Sequence, residues 1–480
     1  MKSGDYAGLP LLDLAVLTES QIQELHLAAL GVLRRTGVEF LHRGAVELLR
    51  EAGAFVYDGN LVKFPAAMVE DAIASAPSRI VMCDRDGEAA MYLEGTRVYF
   101  GTGSDCLNII DPETGEHRRF TEADLIDGYR LVDALPNIDF VMSMGIPSDV
   151  EVSLQYDTQM ALMLEYTAKP KVFVTNDGAS CQRAIDMAAA LAGGYEALAE
   201  RPHILLYSEP SSPLQQSETA VEKLLLMAEY ALPVLHAPAV LAGATAPITM
   251  AGSLVQGLAE ALSGLVLHQL KKRGAPFAFG AAMAHLDMRA IQSPYVAPEA
   301  QLGNVAMAQI GRWYGMPTWG FAGCSDSKVL DEQAAVEALF AVLVAQLSGT
   351  NLAHDVGYLE SGLTTSFEMV VLSDELIAMT DQLMKGIEVS KDTLLVEEID
   401  RVGPGGHYMK TAETVKRFRD YWFPGLLSRK TRERWLEAGG LTLGQRLSER
   451  VKEITAEHEP QPLARDKKRK IEEILKTAGH

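Results

Sequence analysis

The sequence predicts an α/β protein built on a closed eight-stranded (β/α)8 barrel, and three observations point to it. From residue 96 onward, short apolar runs alternate with amphipathic helices eight times, at roughly 30–40 residues per unit, the usual size of a barrel repeat. The first run, ending Gly101-Thr102-Gly103, leads into Ser-Asp-Cys, whereas an open doubly wound sheet usually carries a glycine-rich nucleotide loop there. The last run, Asn351-Leu352-Ala353, passes at once into His354, Asp355, Tyr358 and Glu360. A buried strand ends so densely polar when that end faces a cavity, as the carboxyl ends of barrel strands do.

In order along the chain, Thr18-x-x-Gln21 is a capping box opening an amphipathic helix that carries Ile22, Leu25, Ala29, Leu30 and Leu33. A second helix over 43–52 ends at Gly53, and Asp58-Gly59-Asn60 joins two short strands as a hairpin. Pro65 starts another helix, and 79–83 and 90–93 alternate like strands. Residues 1–95 are therefore expected to be a helical and β-hairpin cap. The eight barrel strands are expected at 97–101, 138–144, 171–175, 203–207, 233–236, 276–279, 317–320 and 351–354, within a barrel spanning 96–390. A helical extension, 391–480, completes the chain.

Composition narrows the function. Mean hydropathy near zero with 48% hydrophobic residues suits a well-buried soluble protein. The formal charge of −21 repels nucleic acid and anionic membranes, so neither is expected as a partner. Cys83, Cys106, Cys181 and Cys324 lie far apart with no CxxC or Cys/His spacing, which argues against zinc, iron–sulfur and disulfide frameworks and suits a reducing cytoplasm. The N-terminus has acidic residues within its apolar part, unlike a signal peptide. No apolar run free of charge, Gly and Pro reaches the ~18 residues a membrane span requires. No metal-ligand spacing, GxSxG elbow or phosphate loop appears among the strand ends, so no metal is expected. The polar, aromatic mouth suits a small charged organic ligand.

The segment GFAGCSDSKVLDEQAAVEALFAVLVAQLSGTNLAHDVGYLESGL (320–363), with GPGGHYMKTAETVKRFR (403–419) and the opening TESQIQELHLAALGVLRRTGVEF, resembles the trimethylamine methyltransferase family. It resembles in particular the members without pyrrolysine that demethylate quaternary amines such as glycine betaine. The resemblance implies a TIM barrel that moves a methyl group from an amine to the cobalt of a separate corrinoid protein. Founding members carry pyrrolysine in the barrel, at a position expected near Cys324. This chain has only standard residues, which turns the expectation toward a quaternary ammonium, glycine betaine first. Proline betaine, carnitine and γ-butyrobetaine are alternatives, as are a barrel lyase or decarboxylase and a non-catalytic betaine-binding barrel.

On this reading His354, Asp355 and Glu360 are the catalytic set, His354 gripping the substrate carboxylate with Asn351, and Asp355 or Glu360 orienting the imidazole. Lys328 is the alternative anchor. Tyr99, Phe173, Tyr207, Phe321 and Tyr358 are expected to offer aromatic faces to the ammonium, and Glu209 and Cys324 complete the substrate set. The base-off cobalamin motif DxHxxG is absent, so cobalamin is expected on a corrinoid partner that docks over the mouth. A homo-oligomer is also expected.

Overall fold

The structure, a computed structural model, describes residues 12–477. Eight parallel staves close into a ring. β1 (Tyr99–Thr102) meets β2 (residues 140 and 141) through Gly101 and Phe140, and Val141 meets Lys171 of β3 (Lys171–Phe173). β3 pairs with β4 (Ile204–Ser208), β4 with β5 (Val234–His236), and β5 with β6 (Phe277–Ala278). Phe279 bridges Thr318 just ahead of β7 (Trp319–Phe321). β7 pairs with β8 (Leu352–Val356), which returns to β1 with Leu352 opposite Tyr99. The staves are buried on both faces, hence their nearly unbroken apolar runs.

The outer helices are α1 (Glu122–Ala134), α2 (Gln155–Tyr166), α3 (Gly178–Ala192), α4 (Glu218–Glu229), α5 (Met250–Lys271), α6 (Pro298–Trp313), α7 (Glu332–Ser348) and α8 (Phe367–Met384). Five begin where Asp177, Ser217, Thr249, Asp331 or Ser366 accepts a hydrogen bond from the amide three residues on. Such a cap satisfies an amide that the helix itself cannot. α5 is by length and composition apolar enough to cross a membrane, although Gly252, Gly257, Glu260 and Gly264 interrupt its apolar run. Its apolar window is 72% buried, because the helix lies between the barrel wall and the N-terminal helices.

The N-terminal segment is stitched to the barrel rather than set above it. Its first helix, Glu19–Arg35, has the capping box and buries Ile22, Leu25, Leu30 and Leu33. The hairpin Phe55–Tyr57/Leu61–Lys63 forms, and Val38–Phe40 joins it to Gln215–Gln216 of the loop after β4. A second hairpin, Ile80–Cys83/Ala89–Leu93, plugs the amino end of the barrel. Its Ile80, Met82, Met91 and Leu93 pack against Phe140, Leu205, Leu235 and Leu352 of the interior. At the other end of the chain, helix Leu443–Glu457 packs on α8 and α1, and Arg465–Thr477 on α3 and α2.

With its floor plugged, the barrel opens only at the carboxyl ends of its strands. There Ala239–Ala242 and Ala282–His285 prolong β5 and β6 as a parallel pair. A small sheet of Asn108–Ile110, His117–Arg119, Tyr358–Leu359 and Thr364–Thr365 covers the seam between β8 and β1.

Candidate active site

A cavity of about 590 Å3 occupies the mouth, lined by side chains from β4, β7, β8 and the loops after β1, β5 and β6. Strand alternation builds its aromatic wall. Trp319 and Phe321, two apart on β7, both face inward, their rings 5.9 Å apart. His354 of β8 stacks on Trp319 at 4.8 Å and 23°, and lies edge-on to Phe321 at 6.4 Å. Tyr207 of β4 is 5.6 Å from both Trp319 and His354, and Tyr295, from the loop after β6, is 5.9 Å from Phe321. Tyr358 closes the wall, its hydroxyl donating to the Ser104 carbonyl. Its approach requires glycine at 103, where a Cβ would lie 2.2 Å from the Tyr358 ring.

Three carboxylates and one lysine share this cavity: Asp105, Glu209, Asp355 and Lys223. Burial, reinforced by the charge of Glu209, pushes Asp105 up to about 7, although Tyr156 hydrogen-bonds it. One of its oxygens has no hydrogen-bond partner. Glu209 is open to the cavity yet enclosed by protein, and this desolvation raises its pKa against the opposing hydrogen bond from Tyr207. Lys223 donates to the Thr175 carbonyl at 2.8 Å, and desolvation lowers its pKa. Asp355 Oδ1 lies 2.5 Å from His354 Nδ1, but off the line of a hydrogen bond. The other ring nitrogen, Nε2, is buried without a hydrogen-bond partner. Asp105 and Asp355 adopt left-handed backbone angles, φ 67° and 75°, the strain that functional sites concentrate. Among the described residues, no three His, Cys, Asp or Glu side chains gather as a metal site.

The structure therefore brings together His354, Asp355, Tyr207, Glu209, Phe321 and Tyr358, and moves the other expected residues elsewhere. Asn351 is at the floor: its Oδ1 accepts from Thr318 N at 2.8 Å and its Nδ2 donates to Arg97 O at 2.9 Å. Tyr99 is also at the floor, its hydroxyl accepting from Tyr92 N in the plugging hairpin. Phe173 points outward into the core between barrel and helices, while its neighbour Val174 lines the cavity. Cys324 lies behind the wall with Cys106 and Val296, where burial raises its thiol pKa far above the ordinary range. Lys328 is exposed and its ammonium caps the Asp326 carbonyl at 2.7 Å. Glu360 accepts from Thr364 at 2.8 Å in the covering sheet and does not reach the cavity lining.

Trp319, Tyr295 and Lys223 are the residues that sequence reasoning missed. Trp319 could have been found from its i, i+2 relation to Phe321, and Lys223 from its place between Val221 and Leu224 on a buried helix face. Tyr295 sits in a long irregular loop where no periodicity marks it.

The comparisons with known proteins accord with this fold. The sequence is 34% identical over 403 residues to a trimethylamine methyltransferase of Desulfitobacterium hafniense, covering 84% of this chain and 81% of that one. It is 29% identical over 469 residues to a glycine betaine methyltransferase of the same species, covering 97% of each. In fold it resembles the monomethylamine methyltransferase of Methanosarcina barkeri, with a TM-score of 0.52 at 12% identity over 90% of this chain and 87% of that chain. The family model for trimethylamine methyltransferase (MTTB) matches residues 8–478, and the chain belongs to that family.

Proposed function

We propose that this protein transfers a methyl group from a quaternary ammonium compound to the corrinoid of a separate protein docked over the barrel mouth. The observation that carries the reading is the cavity wall itself: aromatic faces from Tyr207, Tyr295, Trp319, Phe321 and Tyr358 beside the carboxylates of Asp105, Glu209 and Asp355. A quaternary ammonium has no N–H to donate, so aromatic faces and unpaired carboxylates are the groups that hold it. The corrinoid supplies the nucleophilic cobalt that accepts the methyl. The chain's own task is to orient one N-methyl toward the open mouth. Because the substrate's charge vanishes on transfer, a grip on the ammonium that is too tight favours the ground state. Asp105 and Glu209, whose raised pKa values weaken their hold as anions, suit that requirement.

Glycine betaine remains the first substrate to consider, supported by the full-length similarity to a glycine betaine methyltransferase. With Asn351 and Lys328 away from the cavity, its carboxylate has Lys223 and His354 to meet. Exposed Ile248, Met288, Ile291 and Val329, on loops after β5, β6 and β7, form an apolar rim that supports docking of the corrinoid protein.

The test combines purified protein, cob(I)alamin and a panel of quaternary amines, following loss of the cob(I) absorbance and appearance of the tertiary amine. Transfer from glycine betaine or a related betaine is expected. Turnover without any corrinoid would instead indicate a lyase or decarboxylase, and tight binding with no transfer a binding protein.

A further inference from the structure

We propose that Asp326 is a positioning residue for the aromatic wall, a role that rests on the quaternary-ammonium reading above. Its carboxylate holds Tyr295 at the cavity by fastening the loop after β6 to the loops after β7 and β8.

The loop between Ala282–His285 and α6 has no periodic structure of its own, and its tip is closed on itself. Asp287 Oδ1 accepts from Arg289 N at 2.8 Å and Ala290 N at 3.3 Å, and Ile291 N donates to the Asp287 carbonyl at 2.7 Å. Such a turn satisfies the tip's amides without deciding where the loop lies over the barrel. Met288 and Ile291 at the tip are exposed. The leg that returns to α6 is held differently. Tyr295 N donates to Asp326 Oδ1 at 2.8 Å, and Val296 N to Asp326 Oδ2 at 3.2 Å. Ser361 Oγ, from the turn after β8, donates to Oδ1 at 2.8 Å. One carboxylate thus ties together the loops of three neighbouring strands, and it does so from outside the cavity lining.

Asp326 is itself fixed. Its amide donates to Glu337 Oε2 of α7 at 2.8 Å, and Ser325 Oγ donates to the same oxygen at 2.6 Å. A carboxylate anion only accepts, which matches three converging donors, and bonds to it are roughly twice as strong as those between neutral groups. Asparagine in its place would turn its NH2 toward one of the two amides, donor against donor.

The clamp reaches the site through Tyr295. The ring of Tyr295 lies 5.9 Å from Phe321, and its hydroxyl sits against Gly362, where a Cβ would stand 3.1 Å away. Because Asp326 binds the backbone amides of Tyr295 and its neighbour, it sets where the root of that side chain stands. A cation is held by an aromatic face only when it lies close over the ring. With the clamp released, the loop carries Tyr295 off the wall, and the ammonium loses one face.

Titration calorimetry with tetramethylammonium, which needs no corrinoid, tests this in a double-mutant cycle. Asp326→Ala and Tyr295→Ala are each expected to weaken binding about fivefold. The double variant should bind no more weakly than Tyr295→Ala alone, because residues that act through one another are not additive. Losses that multiply, or either single variant binding as tightly as the wild type, overturn the proposal. Should Asp326→Ala fail to fold, Asp326→Asn, of nearly the same shape, replaces it in the cycle with a smaller loss expected. A wild type that binds no quaternary ammonium overturns the functional reading alone, and hydrogen exchange then decides the clamp. Faster exchange of the Tyr295 and Val296 amides in Asp326→Asn sustains it, and unchanged exchange overturns it.

Discussion

The two ends of the barrel are made from the same strands and from similar residue types, yet they are opposite in how their polar groups are satisfied. At the floor, β8 begins with Asn351, whose amide oxygen accepts from Thr318 and whose NH2 donates to backbone carbonyls of Glu94, Gly95 and Arg97. Toward the mouth the same strand carries His354, whose Nε2 is buried without a hydrogen-bond partner. β1 repeats the contrast, from Tyr99 bonded to the plugging hairpin to Asp105 with an unpartnered oxygen. A buried polar group without a partner carries a cost in stability. At the mouth that cost falls on His354 and Asp105, which line the cavity, whereas His203 at the floor, with its unpartnered Nε2, lies outside it, so the mouth is where a ligand completes the set.

Breaking the mouth should affect function most, although truncating the buried Trp319 also costs stability. Trp319→Ala removes the face on which His354 stacks. A drop of about 30-fold in kcat/KM is expected, corresponding to roughly 2 kcal/mol of lost cation–aromatic contact. Trp319→Phe should restore most of it. His354→Ala is expected to lower methyl transfer by about tenfold, the order of one lost charge-assisted contact, with no loss in urea stability. Undiminished transfer in that variant would remove His354 from the site.

Breaking the floor should do the reverse. Asn351→Ala strands several hydrogen-bonding groups at once, and about 3 kcal/mol of unfolding free energy should disappear. The KM for the amine should not move. Equal damage to both quantities would erase the distinction between the ends.

The remaining predictions sharpen the mouth. Asp105 binds a cation as an anion but keeps its proton up to about pH 7 in the empty pocket. Affinity for the amine should therefore rise about tenfold from pH 6 to pH 8, since cation binding expels the proton. The empty protein moves the other way. Its Asp105 pKa lies above the unfolded value, so stability is greatest in acid and declines as pH rises through about 7. Titration calorimetry on Asp105→Asn should show the affinity slope flattened. The smallest effect is expected for Lys223→Met. Glycine betaine should bind several-fold more weakly while tetramethylammonium is unchanged, a loss of about 1 kcal/mol. Equal weakening of both would show that Lys223 does not meet the carboxylate.

Much of the frame was legible from one-dimensional pattern. Strand runs rich in Val, Leu, Ile and Phe, each followed by a capped amphipathic helix, specify local structure through hydrogen bonding and side-chain period, which do not depend on distant contacts. Thr18 with Gln21, Ser217, Asp331 and Ser366 act as helix starts within three residues of themselves. The polar burst at His354–Asp355 could likewise be read as a strand end facing a cavity.

The rest required the closed ring. Asn351 and His354 are three residues apart and both polar, and only the direction of β8 decides that one bonds the floor and the other faces the mouth. Phe173 and Val174 differ in side by a single step of the pleat, which sequence leaves open when both faces are buried. Lys223 and Tyr295 reach the cavity from a helix and a long loop, through contacts remote in sequence. By itself the sequence determined the barrel's repeat, its helix boundaries and the chemical kinds of residue available. The tertiary structure decided which of them share one cavity, because closure sets strand polarity, inward facing and proximity all at once.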